Sequence, residues 1–338
     1  MVAALGAVGV SCRPDLNQTV SIVSSTQILA VRSDPAEAAP KGNVMYTALI
    51  VDSSGPLNVP VDWAFCNARK PLAELGPVSR QCLQASGDWF VPLGAGIQAG
   101  GALPDIACRQ FGPLVPQATG TQPAGRPVDP DQTGGYYQPV RMIVPSPAGD
   151  LVGIAETRLS CDIAGTPDQL VQFHQHYTAN SNPAVDSLTA GTLPFSTNDH
   201  GETNPVHVGD SLALTATWAS CPQPTGGCGD HYCALDETKQ SCEADCANLS
   251  GCTGAETYVS LDLNTHNLVT QREGIEAAWF ATAGSFADDR TGRGPADQMS
   301  STTNTWHAPA RPTNVRLWVV LRDDRGGTGW AEYTLDVH

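Results

Sequence analysis

Short segments in which apolar and polar positions alternate run through the first half of the chain. They are rich in β-branched residues and are bounded by clusters of Pro, Gly, Asn and Asp, a pattern that predicts β-strands. One of these segments places Trp63 in mid-strand. The predicted strands are 28–33, 44–52, 59–66, 139–145 and 151–161.

A long stretch without this pattern, residues 67–135, separates the third predicted strand from the fourth. It is rich in Gly and Pro and contains Cys82 and Cys108. A loop of this length is uncommon in a compact domain unless it is cross-linked or functional. We therefore expect disulfide bonds to pin it.

Residues 166–177 carry the clearest helical pattern. Thr166 can cap this helix, and Pro167 suits its first turn. The pair His174 and His176 lies two positions apart and faces different ways on a helix, so we expect exposed histidines rather than metal ligands. The apolar positions that share one helix face are Leu170, Phe173 and Tyr177.

The second half of the chain returns to strands, so the whole pattern predicts an all-β fold of two sandwiches with one short helix between them. Each half has a Trp on a middle strand, Trp63 and Trp279, and each half ends in a hairpin. The predicted strands of the second half are 207–221, 257–263, 275–284, 304–309, 314–322 and 329–337. The predicted divisions are a signal segment 1–12, a tether 13–25, a first domain 26–165, a helix and linker 166–182, and a second domain 183–338.

The closing hairpin is the best-defined element of the sequence. Alternation puts one face of its strands in the core, at Val315, Leu317, Val319 and Leu321 and at Ala331, Tyr333, Leu335 and Val337. A turn at 323–327 would set Trp318 opposite Glu332 and diagonal to Trp330. The other face then carries an aromatic patch rimmed by charge, formed by Arg316, Trp318, Val320, Arg322 and Trp330. Either the chain covers this patch itself, with the 285–305 loop or the cysteine-rich insertion at 221–252, or a partner or sugar binds there.

Composition excludes two classes of partner. The net charge is −16, and 15% of the 338 residues are charged. An acidic surface repels nucleic acid and anionic membranes, so we expect neither as a direct partner.

Eleven cysteines indicate export, because disulfides form in oxidising compartments. Ten of them form an even set that we expect to pair within its own half, two bonds in the first and three in the second. These are Cys66, Cys82, Cys108 and Cys161, then Cys221, Cys228, Cys233, Cys242, Cys246 and Cys252.

The last six of these cysteines define a cysteine-rich insertion, 221–252, which has too few apolar residues to bury a core. Zinc is the alternative for 228–233, although no paired C-x2-C knuckles occur.

The odd cysteine, Cys12, follows a short apolar run that is too short to span a bilayer but suits a signal segment. The string AVGVSC ending at this residue resembles a bacterial lipobox, in which the cysteine becomes the lipidated N-terminus. That resemblance implies attachment to a membrane through a lipid.

Two stretches resemble a known family of domains. Residues 314–337 are similar to the closing strands of PKD-type and cadherin-like immunoglobulin sandwiches, and residues 28–56 followed by 61–66 are similar to their first half. Together with the lipobox, the chain resembles predicted surface lipoproteins of the myxobacterial type. The resemblance implies two tandem immunoglobulin-like sandwiches at the cell surface or in the periplasm, and it implies no catalytic residues.

Two short strings invite a functional interpretation. The GDSL string at 209–212 matches the nucleophile block of a serine esterase family, but Ser211 opens a strand instead of a strand-to-helix turn. Asp129, Asp131 and Thr133 match the first half of a calcium loop, whose twelfth position here is Val140 instead of Glu. We therefore favour an ordinary acidic turn over a calcium site, and we expect no cofactor.

The sequence thus predicts a surface-anchored, non-enzymatic binding or structural module of the cell envelope, with an envelope protein or polysaccharide as partner. The alternative is a secreted hydrolase or a carbohydrate-binding accessory protein.

Overall fold

The chain folds into two β-sandwiches. The computed structural model describes residues 20–71, 74, 76–114, 117–118, 124–125, 133–198 and 201–338. In this part of the chain, no helix is long and apolar enough to cross a membrane.

In the part of the chain that the structure describes, the first sandwich has nine strands in two sheets. They are β1 (Gln27–Asp34), β2 (Glu37–Ala38), β3 (Asn43–Asp52), β4 (Gly55–Pro56), β5 (Asp62–Cys66), β6 (Phe90–Ala95), β7 (Gln98–Ala102), β8 (Tyr137–Val144) and β9 (Leu151–Leu159). One sheet joins β1, β3 and β4, with β7 beside β3, and the other has the order β2-β9-β8-β5-β6. Every predicted strand of this half is present. Strands β6 and β7 lie inside the stretch predicted to be a loop. β6 is an edge strand of one sheet, where Pro92 is tolerated, and β7 pairs with β3 in the other sheet.

The second sandwich follows the same plan. Its half of the chain contains β10 (Ser187–Ala190), β11 (Leu193–Pro194), β12 (Asn204–Val206), β13 (Ser211–Thr217), β14 (Thr257–Asp262), β15 (Asn267–Arg272), β16 (Ile275–Ala281), β17 (Ser285–Phe286), β18 (Arg290–Arg293), β19 (Ser301–His307), β20 (Thr313–Asp323) and β21 (Thr328–Val337). One sheet has the order β11-β10-β13-β19-β17, and the other has the order β12-β21-β20-β16-β18. The strands β14 and β15 form a separate hairpin beside the sandwich.

The two sandwiches share an immunoglobulin-like topology. In each, a short strand pairs in parallel with the last strand, β2 with β9 and β12 with β21, while the other pairings are antiparallel. In each, a central strand carries a fully buried tryptophan, Trp63 in β5 and Trp279 in β16. A buried Trp on that strand is a hallmark of immunoglobulin-like domains. The predicted fold class is confirmed.

The closing hairpin has the predicted register. Trp318 of β20 lies opposite Glu332 of β21, and Val320 lies opposite Trp330. The side chains predicted for the core of β20 are fully buried, as is Leu335 of β21. Strand alternation and the length of the turn were sufficient here, because together they fix which side chains share a face and which positions lie opposite each other.

The helices described between the strands are α1 (Ala107–Phe111), α2 (Pro167–His176), α3 (Glu243–Cys246) and the 3₁₀ helix Arg80–Leu83. A capping box between Thr166 and Gln169 begins α2, and Phe173 packs on the β14–β15 hairpin. The expectation of two exposed histidines is wrong for His176. That residue is buried, with Nδ1 3.3 Å from Sγ of Cys233, whereas His174 is exposed beside Asp162.

Ten cysteines form five disulfides within their own halves of the chain, two in the first and three in the second, as predicted. The bonds are Cys66–Cys82, Cys108–Cys161, Cys221–Cys252, Cys228–Cys242 and Cys233–Cys246. They tie the 3₁₀ helix to β5, α1 to the end of β9, and the cysteine-rich insertion to itself. The insertion is therefore held by covalent bonds where it lacks an apolar core.

A third apolar cluster joins the two sandwiches. The outer faces of β1 and β3 pack on the outer faces of β16 and β20, around Leu29, Leu49, Val51, Trp318 and Val320. Trp318 and Val320 are fully buried there, and Trp330 is half-buried beneath the guanidinium of Arg32. The aromatic patch is therefore not an exposed binding surface. The first sandwich covers it, instead of the insertion or the 285–305 loop considered from the sequence.

The residues before β1 belong to the folded body. Ser21 and Val23 are buried, and both form backbone hydrogen bonds with Ala281 at the end of β16. Ser21 and Val23 of the predicted tether 13–25 thus lie against the second sandwich before the chain enters the first. The earlier part of the tether, like Cys12 and the signal segment, lies outside the described residues.

Replacing Trp318 with Ala should lower the free energy of unfolding by about 3–5 kcal/mol, because it leaves a cavity between the sandwiches. Urea denaturation followed by circular dichroism measures the change. Leu193→Ala, at a side chain 69% exposed, serves as a control that should shift the value by less than about 0.5 kcal/mol. A loss below about 1 kcal/mol for Trp318→Ala would show that this cluster does not stabilise the fold.

Candidate functional site

The junction of the two sandwiches is built around a buried arginine, Arg325, in the turn between β20 and β21. Its Nε donates to Glu273, and its Nη2 donates to Glu256 at 2.6 Å. Its Nη1 donates to the carbonyl of Thr178 in the linker at 2.9 Å, and Tyr258 lies under the guanidinium. Burying a charge is costly unless it is paired and hydrogen-bonded, and this guanidinium meets both conditions.

A second buried ion pair, between Arg158 of β9 and Glu37 of β2, adjoins the first. One oxygen of Glu37 accepts from the hydroxyl of Tyr177 at 2.7 Å and from the backbone N–H of Asn180 at 3.0 Å. Arg158 Nε lies 3.4 Å from the same oxygen, and its Nη1 donates to Thr133 Oγ1 at 2.7 Å. The linker after α2 therefore connects the buried charges of both sandwiches.

Asp323, at the end of β20, completes this network. Its Oδ1 accepts from the backbone N–H groups of Arg325 and Gly327 and from Nδ2 of Asn180. Its Oδ2 is buried without a partner in the described part of the chain. Burial raises the pKa of Asp323 from 3.8 to about 6, because a desolvated carboxylate is disfavoured against its neutral form.

A cleft of about 620 Å³ opens beside this junction. Gly274, Arg290, Gly292, Arg322 and Glu276 are among its lining residues, from β16, β18, β20 and the segment before β16. Register places Glu276 opposite both Gly292 and Arg322, so these three positions share the outer face of the sheet. The same face, one step further along β20, is covered by the first sandwich. All lining residues of the cleft belong to the second sandwich, and Arg322 among them also contacts the first sandwich through the carbonyl of Leu29. The cleft therefore lies beside the seam between the domains.

Charge in the cleft is arranged around one carboxylate. Arg290 Nη1 lies 2.7 Å from Glu276 Oε1. Arg322 is half-buried, and its Nη2 donates to the carbonyl of Leu29 in β1 at 2.5 Å. Burial lowers the pKa of Arg322, and the positive charge of Arg290 lowers it further, while Glu276 opposes both effects. Two guanidinium groups therefore share one carboxylate on this face.

The other residues singled out in the sequence fall elsewhere. Ser211 begins β13, exposed, opposite His307 in register, and no hydrogen bond joins the two side chains among the described residues. Thr133 is buried, and its side chain and carbonyl both accept from Arg158. Asp129 and Asp131 lie outside the described residues.

The zinc alternative is not supported by the geometry of the insertion. Cys228, Cys242 and Asp245 lie close together, but the two sulfur atoms are bonded to each other. A disulfide offers no thiolate, which is the form that binds zinc. Asp245 instead accepts from the backbone N–H groups of Gly229 and His231.

Sequence comparisons give no family assignment. No protein-family model and no curated protein matches the chain. Among solved structures, the D00-D0 domain of intimin covers 91% of the chain and 98% of its own length at 8% identity and a TM-score of 0.19. The adhesin InvE of Yersinia pseudotuberculosis covers 93% of the chain and is itself covered to 60%, at 11% identity and a TM-score of 0.19. The tandem immunoglobulin domains A164-A165 of titin cover 93% of the chain and 97% of their own length at 9% identity and a TM-score of 0.16. Such low scores carry no argument, and the fold assignment rests on the sheets of the chain itself.

Replacing Arg325 with Met should lower the free energy of unfolding by about 3–5 kcal/mol, because Glu256 and Glu273 would remain buried without a cation. Adding Glu273→Gln to this variant should restore part of the loss, since it removes one unpaired charge. Urea denaturation of the two variants measures both effects. A double variant no more stable than Arg325→Met would contradict the assigned pairing.

Replacing Asp323 with Asn should change how stability depends on pH. The folded state holds the proton of Asp323 up to about pH 6, whereas the unfolded chain releases it near 3.8. The stabilisation from this group is therefore fully present below about pH 4 and is lost as pH rises through 6. We compare the free energy of unfolding of the native chain with that of Asp323→Asn. The difference, native chain minus variant, should decrease by about 2–3 kcal/mol between pH 4 and pH 7.

Urea denaturation at half-unit pH steps measures this difference. Asp262→Asn is the control, because backbone hydrogen bonds lower the pKa of that exposed carboxyl and its titration lies below this pH window. A constant difference between the native chain and Asp323→Asn across the window would show that Asp323 is ionised throughout.

Proposed function

We propose that this protein is a surface-anchored, non-enzymatic binding module of the cell envelope. The observation that carries the proposal is the joined pair of sandwiches with an open, charged cleft in the second sandwich, beside their seam. The cleft walls are paired strands of one sheet, β16, β18 and β20, so they are held in place. A rigid cleft suits recognition, because little conformational freedom is lost when a ligand binds.

Export of the chain is consistent with its five disulfides. Disulfides persist in secreted, periplasmic and surface proteins and are rare in the cytosol. The insertion needs three of these bonds to hold its shape, so the fold depends on an oxidising compartment.

Lipidation at Cys12 would supply the anchor. A diacylated cysteine carries two acyl chains, which is enough for stable attachment, whereas a single chain is marginal. The net charge of −16 would work against adsorption to an anionic membrane, so attachment would depend on the lipid. Nine peptide units between Cys12 and Ser21 span at most about 30 Å, so the sandwiches would stand close to the membrane.

Expression of the full chain in a bacterial host with a labelled fatty acid tests the anchor. We expect label on the native chain and on Ser11→Ala, and we expect loss of label and release from the membrane fraction for Cys12→Ala. The first variant keeps the reactive cysteine and controls for changes near the processing site. Retention of Cys12→Ala in the membrane fraction would refute lipid anchoring at this residue.

Pull-down with the immobilised full chain against envelope polysaccharides and envelope extract tests the binding role. We expect retention of a component that a chain unfolded by reduction does not retain. Failure to retain any envelope component would refute the binding module whatever the outcome of the labelling.

A further inference from the structure

Two histidines lie side by side at one end of the second sandwich. His207 follows β12 and His338 follows β21, the two strands that pair in parallel. The backbone N–H of His338 donates to the carbonyl of Val206 at 3.0 Å, and the N–H of Val208 donates to the carbonyl of His338 at 3.1 Å. These two bonds continue the parallel ladder by one position, and they place His207 directly opposite His338.

Both histidine side chains point to solvent. The preceding residues of the two strands, Val206 and Val337, are buried in the core, so strand alternation puts the next residue of each strand on the outer face. His207 and His338 are accordingly exposed. Their ring centres are 4.9 Å apart, and the ring planes meet at 77°. The backbone therefore holds two imidazoles next to each other on the surface.

Each ring has a nitrogen lone pair to offer. Nδ1 of His338 lies 3.2 Å from the carbonyl oxygen of Asp336. Because a carbonyl only accepts, Nδ1 carries the proton, and Nε2 of the neutral ring keeps its lone pair. Histidines that bind metals commonly donate their other ring N–H to a carbonyl in this way. The ring of His207 has no hydrogen-bond partner in the part of the chain that the structure describes.

The distance between the rings matches that of two imidazoles on one metal ion. A Zn–N bond of about 2.0–2.1 Å places a ring centre about 3.2 Å from the ion. Two rings that meet at the ion at about 90–110° then have their centres about 4.5–5.2 Å apart. The separation of 4.9 Å between His207 and His338 lies within this range. Since both side chains are exposed, rotation about their own bonds is enough to direct the two lone pairs at one ion.

Negative charge next to the pair favours a cation. Asp336 is exposed and lies two positions before His338, so strand alternation places it on the same face of β21. Asp210 accepts from the backbone N–H of His207 at 3.1 Å. Among the described residues, no third His, Cys, Asp or Glu completes with this pair a cluster whose ligand atoms all lie within 4.8 Å. An ion held here would therefore keep coordination positions open to water.

We propose that His207 and His338 form a binding site for a divalent transition-metal ion, Cu²⁺, Ni²⁺ or Zn²⁺. These ions favour imidazole nitrogen, whereas Ca²⁺ and Mg²⁺ favour oxygen ligands. Cu²⁺ should bind most tightly, as it does at most sites with nitrogen ligands. With two protein ligands and open positions, the site suits reversible binding of metal at the surface. It lies apart from the cleft, so it does not depend on the proposed binding function.

Calorimetric titration of the full chain with Ni²⁺, in a buffer that does not coordinate metals, tests this proposal. The Cys12→Ala chain is the parent for all variants, because a free thiol competes for the metal. We expect one Ni²⁺ ion per chain. His207→Asn and His338→Asn should each weaken binding about tenfold or more, since a single imidazole loses the gain from two linked contacts.

His174→Asn is the matched control. It removes an exposed imidazole that lies 3.0 Å from a carboxylate oxygen of Asp162, and it should leave the affinity unchanged. Circular dichroism checks that each variant is folded, which we expect because the replaced side chains are exposed. Pulsed electron paramagnetic resonance of the chain loaded with Cu²⁺ counts the coordinated imidazoles: two in the parent and one in each variant of the pair.

Absence of Ni²⁺ binding would overturn the proposal, as would equal affinity for His207→Asn and His174→Asn. Two ions per chain, reduced to one without loss of affinity in either variant of the pair, would show two independent imidazoles instead of one shared site. A single coordinated imidazole in the Cu²⁺ spectrum of the parent would lead to the same conclusion. Displacement of Ni²⁺ by an equal concentration of Mg²⁺ would assign the binding to carboxylates and refute the histidine site.

Discussion

The buried guanidinium of Arg325 is the constraint on which the arrangement of the two sandwiches depends. It lies in the last turn of the second sandwich, yet its acceptors come from the linker and from residues that flank the β14–β15 hairpin. A buried guanidinium is stable only where each of its N–H donors has an acceptor, because a buried charge without partners costs several kcal/mol. The network therefore fixes the position of the linker. Because the backbone N–H of Asn180 in the linker donates to Glu37, it also fixes the position of the first sandwich relative to the linker. Apolar packing around Trp318 adds stability, but it is less directional.

Local patterns predicted those parts of the fold that depend on neighbouring strands. The register of the closing hairpin, the limits of α2 and the division of the disulfides between two halves all follow from periodicity, capping and cysteine counts. Strands β6 and β7 were missed because their segment is rich in Gly and contains Pro92, which together weaken the strand pattern. The second strand of the β14–β15 hairpin was missed because only its Leu268 and Val269 are apolar.

The candidate site could be predicted only in part, because it depends on contacts between distant segments. Arg322 was identified from strand alternation, but as the rim of an aromatic patch that the first sandwich covers. Arg290 lies in a four-residue strand without an apolar pattern, and only pairing with β16 brings it beside Glu276. His176 shows the same limit, since helix periodicity gave its direction and could not reveal that the disulfide of Cys233 would lie against it. Whether a charged or aromatic side chain is buried depends on the residues that pack on it. Those residues lie far away in the sequence, so a local pattern does not predict them.

The path of the chain before β1 has a mechanical consequence. Ser21 and Val23 bond to Ala281 of the second sandwich, although the strand that follows belongs to the first. A pull on the chain ahead of Ser21 would load these backbone bonds and the contact between Ser21 and Asp289 before it reached β1. Tension would thus enter through the second sandwich, and the seam between the domains would carry load only after this short parallel pairing had parted.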